Sequence, residues 1–251
     1  MHKTAVIALT ISTWILGWEV AQAANPSLGS SFQEWCLNKT RLSAEARKTV
    51  EVLLEIADTS DCQQANENLS SRTELDLKVN QITDISPLSG LTNLTLLYLS
   101  DNKIIDISPL SGLTNLTGLD LSSNQIKDVT PLSELTTLTW LSLSNNQITD
   151  VSSLSALTNL TGLSLSSNQI TDVSSLSGLA NLSWLGLSDN QIKDVSPLSG
   201  LTNLSLLFLN DNQITDVSPL SELTNLIHLD LGDNPIPQPT CPVSPPDVCE
   251  F

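Results

Sequence analysis

From Leu69 onward a leucine opens every stretch of 22 residues, at Leu69, Leu91, Leu113, Leu135, Leu157, Leu179, Leu201 and Leu223, and the register never slips. Seven units are complete and the eighth is truncated. Numbered from the opening leucine, positions 7 and 9 are apolar, whereas positions 6, 8 and 10 vary. That alternation predicts a short strand with one buried face. In the unit spanning 91–112, Leu97 and Leu99 then point inward and Leu96, Tyr98 and Ser100 point outward. The other apolar positions, such as Ile104, Ile107, Leu110, Leu113 and Leu116, return every three residues. This suits a tight coil or 3₁₀ turn rather than a second strand. Each unit can bury its leucines only against its neighbours, so stability grows by stacking and a lone repeat should not fold.

The unit 91–112 reads LTNLTLLYLSDNKIIDISPLSG, and its core LxxLxLxxNxI is the leucine-rich-repeat signature. With SPLSGLTNL between strands, residues 69–237 resemble the internalin type of bacterial leucine-rich repeat. The resemblance implies a solenoid with short parallel β-strands on its concave face, 3₁₀ turns and coil on its convex face, and an N-terminal helical cap. Such repeats carry many unrelated binding roles, so the resemblance fixes a fold more firmly than a partner.

Three polar columns read as architecture. Asn80, Asn102, Asn124, Asn146, Asn168, Asn190, Asn212 and Asn234 fall where the chain leaves the strand, where an amide can satisfy turn groups that would otherwise be buried unpaired. Ser86-Pro87, Ser108-Pro109, Thr130-Pro131, Ser196-Pro197 and Ser218-Pro219 place a capping hydroxyl before a proline at the first convex turn. Asp84, Asp106, Asp128, Asp150, Asp172, Asp194 and Asp216 form an acidic column that either bonds turn amides or attracts cations. The sequons beginning at Asn93 and Asn115 are the repeat consensus itself.

A solenoid exposes apolar surface at both ends and needs caps. Residues 24–68 form the first. Within them Ala46, Val50, Leu53, Leu54 and Ala57 lie at helical spacing behind Ser43 as N-cap, and Trp35 packs there. Residues 238–251 form the second, a proline-rich tail expected not to extend the parallel sheet. Residues 1–23 read as an export signal: Lys3, an apolar run from Ala5 to Trp18, and Ala21-Gln22-Ala23 for cleavage after Ala23 or Ala24. The run is well short of the ~20 residues needed to span a bilayer, so the product is expected to be secreted or periplasmic, without membrane insertion. Export makes Cys36, Cys62, Cys241 and Cys249 disulfide candidates. Eight strands at roughly 4.8 Å hold the ends of a monomer ~35 Å apart, against the ~7 Å Cα separation a disulfide tolerates. This pairs Cys36 with Cys62 and Cys241 with Cys249.

Composition narrows the function. Lys plus Arg total 10 against 27 Asp plus Glu, a net charge of −17 that repels phosphate backbones, so nucleic acid is a poor partner. Beyond the signal, His228 is the only histidine, and no second base, nucleophile elbow, metal-ligand cluster or cofactor motif accompanies it, so the chain reads as a non-enzyme. Positions 6 and 8 scatter while the buried positions barely change. Position 6 runs Glu74, Leu96, Gly118, Trp140, Gly162, Trp184, Leu206, His228, and position 8 runs Asp76, Tyr98, Asp120, Ser142, Ser164, Gly186, Phe208, Asp230. That is the pattern of a recognition surface. The expected site centres on Trp140 and Trp184, ~10 Å apart with a slot at Gly162 between them, flanked by Leu96, Tyr98, Leu206, Phe208 and His228. A protein ligand is the expected partner, with a glycan also possible. The competing reading is a passive envelope or matrix protein whose acidic face binds cations.

Overall fold

The computed structural model describes residues 28–29 and 31–251, and the export signal read in residues 1–23 lies outside them. Three helices precede the repeats: α1 (Phe32–Leu37), α2 (Ala44–Ile56) and α3 (Cys62–Ser70). Each starts at a side-chain cap. Ser43 Oγ accepts from the Ala46 N–H at 3.1 Å, and Asp61 Oδ1 accepts from the Gln64 N–H at 2.8 Å. Helix α2 buries Ala46, Val50, Leu53 and Leu54 on one face, and Trp35 of α1 joins the same core. The fully buried Thr49 ties α2 to the first repeat, its hydroxyl donating to the Asp84 carbonyl at 2.6 Å. A disulfide joins Cys36 in α1 to Cys62 in α3. Sequence patterning finds only α2. Helices α1 and α3 are short, and α3 buries just Ala65 and Leu69, too few apolar positions to mark a period.

Strands β1 (Glu74–Asp76), β2 (Leu96–Tyr98), β3 (Gly118–Asp120), β4 (Trp140–Ser142), β5 (Gly162–Ser164), β6 (Trp184–Gly186), β7 (Leu206–Phe208) and β8 (His228–Asp230) stack in chain order. Every pair is parallel, and each residue faces the one 22 positions on, as Leu97 faces Leu119. Fixed register follows from the repeat: a slip by one residue would turn the fully buried Leu97 and its equivalents to solvent. Within one repeat Leu113, Leu116, Leu119, Leu121, Ile126, Val129 and Leu132 are all buried, and each stacks on its counterparts to form one continuous core. The convex side is a row of 3₁₀ turns such as Ser108–Leu110 and Ser152–Ala156.

The asparagine column holds these turns together. Asn102 Oδ1 accepts from the Ile82 N–H at 2.9 Å, and Nδ2 donates to the carbonyls of Leu77 and Leu99 at 2.9 Å each. Asn124, Asn146, Asn168, Asn190, Asn212 and Asn234 repeat the arrangement, so every amide bridges two adjacent coils. Just before each asparagine from Asn102 onward the chain passes through the left-handed region, at Asp101, Ser123, Asn145, Ser167, Asp189, Asp211 and Asp233. These short polar residues tolerate that conformation. The first repeat places Val79 there at φ 58°.

Two expectations are corrected. The Ser and Thr hydroxyls before the prolines do not cap the convex turns; the aspartate column does. Ser86, Ser108 and Thr130 are the first residues of their turns, and their N–H groups donate to Asp84, Asp106 and Asp128 at 2.8 Å. An Asp two residues ahead reaches an amide that the residue's own hydroxyl cannot. The tail also adds a strand. Strand β9 (Cys249–Glu250) pairs in parallel with β8, and the Leu231 N–H donates to the Glu250 carbonyl at 2.7 Å. All the prolines of the tail lie ahead of Val248, and the Cys241–Cys249 disulfide ties the proline-free end to the loop before it.

Candidate functional site

Alternation along each strand sends positions 6, 8 and 10 to the open face of the sheet. The seven expected site residues lie there in two columns: Leu96, Trp140, Trp184, Leu206 and His228 along position 6, Tyr98 and Phe208 along position 8. A groove of about 460 Å³ lies elsewhere, beside the convex stretch Thr215–Ser218 and the tail residues Ile236, Pro237 and Cys241. Broad recognition needs exposed aromatic area more than depth, so the sheet face is the better candidate.

Three groups share the face. At the first end Tyr98 carries a cation of its own: Lys78 Nζ stands 4.2 Å from the ring centre and 3.7 Å from an Asp76 carboxylate oxygen. Sequence reasoning omitted Lys78. Its signal is position 10, where the following repeats have Ser, Asn or Gly. At the other end Trp184, Phe208 and His228 form a run of rings, with centres 6.2 Å apart for the first pair and 5.2 Å for the second. Both pairs are tilted by just over 50°, a favourable arrangement for ring quadrupoles.

Trp140 stands between these groups, and here the expected slot is absent. A Cβ built on Gly162 would lie 3.0 Å from Trp140 Cδ1, and one on Gly118 would lie 3.8 Å from Trp140 Cε3. The indole reaches over both neighbouring strands, and both glycines are buried, Gly118 mainly beneath Leu96, whose Cδ2 an added Cβ would meet at 2.7 Å. Trp184 instead lies along its own strand over Gly186, where an added Cβ would meet Ser166 Oγ at 3.1 Å and the indole Cη2 at 3.2 Å. Glycine next to tryptophan lets the ring lie flat instead of standing up to leave a gap. The ring keeps an open face, for Trp140 is 37% exposed. Beside these rings run hydroxyls: Ser144 bonds Ser164, and Ser188 donates to Asn210.

The aspartate column faces away from this surface. Thr130 and Ser218 hydroxyls, with their backbone amides second, hold the Asp128 and Asp216 carboxyls below the usual range. For Asp150 and Asp194 the amide is the larger cause and the hydroxyl the second, from Ser152 and Ser196 respectively. Among the described residues no group of three or more His, Cys, Asp or Glu side chains is placed to hold a metal ion.

A single-layer parallel sheet with an open face, convex 3₁₀ turns behind it and an asparagine ladder between defines a leucine-rich-repeat solenoid. The family model for leucine-rich repeats in pairs matches residues 73–111, 92–134, 136–178, 180–222 and 202–240. No curated protein sequence matches. Among solved structures, internalin C2 from Listeria monocytogenes is 36% identical, with a TM-score of 0.73, over 80% of this chain and 89% of its own. Another Listeria monocytogenes internalin, inlF, is 39% identical with a TM-score of 0.66, over 67% of this chain and 50% of its own, so the chain spans half of that relative. A leucine-rich-repeat protein from Leptospira interrogans is 32% identical with a TM-score of 0.65, over 74% of this chain and 50% of its own. The chain belongs to the internalin-type leucine-rich-repeat family, whose members are protein-interaction modules. Among the described residues no helix is long and apolar enough to cross a membrane.

Proposed function

We propose that this chain is an extracytoplasmic binding module that takes a protein ligand on the open face of its sheet, with Trp140 and the Trp184–Phe208–His228 run as the main contacts. The observation that carries this reading is the pairing of tryptophan with glycine. Trp140 lies on a rigid sheet between Gly118 and Gly162, and Trp184 has Gly162 on one side and Leu206 on the other, so aromatic area faces outward at fixed height. Rings held in this way lose little conformational freedom on binding, the usual property of interface anchors. The recurring leucines behind them are buried and form the core. In the test, wild-type chain and the Trp140→Ala and Trp184→Ala variants are immobilised and exposed to extracytoplasmic extract from the producing cell and its surroundings. Each captured protein is then purified and its affinity measured. A ligand of this face loses ~2 kcal/mol or more with either variant while the melting temperature stays within a few degrees. Equal binding by all three proteins, or a fall in stability alone, would mean that the rings merely cover the sheet.

A further inference from the structure

We infer that the Trp184–Phe208–His228 end of the open face is a receptor for an arginine or lysine side chain of the partner. This inference rests on the proposed use of that face for binding.

The molecule contains an internal precedent. Asp76 and Tyr98 face each other across β1 and β2 in register, and the Asp76 carboxylate accepts the N–H of Lys78 at 3.0 Å. From there Lys78 extends its ammonium over the tyrosine ring and back toward the same carboxylate. An aromatic face and a carboxylate side by side thus hold a cation, each contributing what the other lacks. Strands β7 and β8 build the same pair with the strand order reversed. Phe208 faces Asp230 in register, and the Asp230 carboxylate accepts the N–H two residues on at 3.1 Å. That residue is Gly232. The aromatic ring and the acid are present, and the cation that the first end supplies from its own chain is missing.

The surroundings favour a cation from outside. At the left-handed position on the rim, the middle repeats carry Ser123, Asn145 and Ser167, whereas the repeats beside this end carry Asp189, Asp211 and Asp233 in succession. These three are exposed, and the chain as a whole carries −17. Phe208 is also flanked by the Trp184 ring, so an incoming guanidinium meets two ring edges or faces and a carboxylate within one side-chain length. Arginine fits best, because its planar fork can stack on a ring while bonding an acid.

The test uses blocked pentapeptides, Gly-Gly-Arg-Gly-Gly and its neutral citrulline counterpart, titrated into the isotopically labelled full chain and followed by NMR. The arginine peptide is expected to shift the Trp184 indole and the Phe208 and Asp230 amides saturably, and to bind about fivefold or more tightly than the citrulline peptide. Gly232→Lys, which supplies the missing cation, should abolish this response, while Gly232→Gln, of similar length and uncharged, retains it. The glycine φ is not in the left-handed region and an added Cβ would come no nearer than 3.3 Å to Asp230 Oδ1, so both variants fit with a small shift. Lys78→Ala should open a second site at Tyr98. Equal response to both peptides, shifts away from this end, or binding that survives Gly232→Lys would overturn the inference. If captured partners still need Trp140 and Trp184 while the peptides fail, the binding face stands and its cation specificity falls. If the peptides behave as expected while no partner depends on the tryptophans, the cation site stands without that reading.

Discussion

Removing one amide from the middle of the asparagine ladder, by Asn146→Ala, gives the clearest test of what joins the coils. Asn146 is 9% exposed, so water can replace little of what is lost. Its Oδ1 accepts the Ile126 N–H at 2.9 Å, and its Nδ2 donates to the carbonyls of Leu121 and Leu143 at 3.0 Å and of Ser144 at 3.3 Å. An orphaned buried N–H costs about 1–3 kcal/mol, and carbonyls deprived of a donor add to that, so the expected loss is about 3–5 kcal/mol. Urea unfolding followed by circular dichroism reads it directly. Because each coil contacts only its neighbours, a weakened rung can also split the transition, which would appear as a lower slope together with a lower midpoint. N146D sharpens the test. It keeps an acceptor for Ile126 and aims a carboxylate at three carbonyls, which raises its folded pKa above the unfolded ~3.9. Its deficit relative to wild type is therefore full at neutral pH and shrinks as pH falls through the raised value. A loss from Asn146→Ala below about 1 kcal/mol would refute the view that the ladder, rather than leucine stacking alone, holds the coils together.

Two further outcomes follow from backbone and charge. Val79, 73% exposed at φ 58°, occupies the left-handed position that other repeats give to Asp, Ser or Asn, so Val79→Asn should raise stability by about 1 kcal/mol in thermal unfolding; no gain would remove strain as the explanation. The aspartates whose carboxyls are depressed by turn hydrogen bonds, Asp128, Asp150, Asp194 and Asp216, add stability that is present above the unfolded carboxyl pKa of ~3.9 and lost as pH falls through the lower folded values. Urea midpoints measured across that interval should drop, and variants with all four changed to Asn should show a shallower drop.

The repeats were legible because one period encodes everything they need: leucines set burial, and Asn and Asp supply fixed hydrogen-bond partners. Fold and strand register therefore follow from pattern alone. The sequence also places positions 6 and 8 on the open side of the sheet, since strand alternation does not depend on side-chain conformation. It could not show how the rings rest. Gly162 between two tryptophans reads as a gap, whereas in the folded chain the missing Cβ leaves room for the Trp140 indole to lie down. Lys78 was hidden for a similar reason: a single lysine in a column of serines looks like solvation until its reach over Tyr98 is measured. Strand β9 was hidden behind the prolines that precede it.

The constant offset of 22 residues between paired strands from β1 to β8 has a consequence for spacing. The inter-coil bonds of the ladder recur at the same offsets from one coil pair to the next, so duplicating or deleting one whole unit leaves each new neighbour chemically matched to the old. The ladder closes over the change without repair. What does change is the span between the Tyr98 end and the Phe208 end, which lengthens or shortens by one strand spacing, about 4.8 Å, for each unit. The solenoid thus works as a ruler graduated in single strands, and two contacts on a partner can be matched to a chosen separation by counting repeats rather than by redesigning a surface.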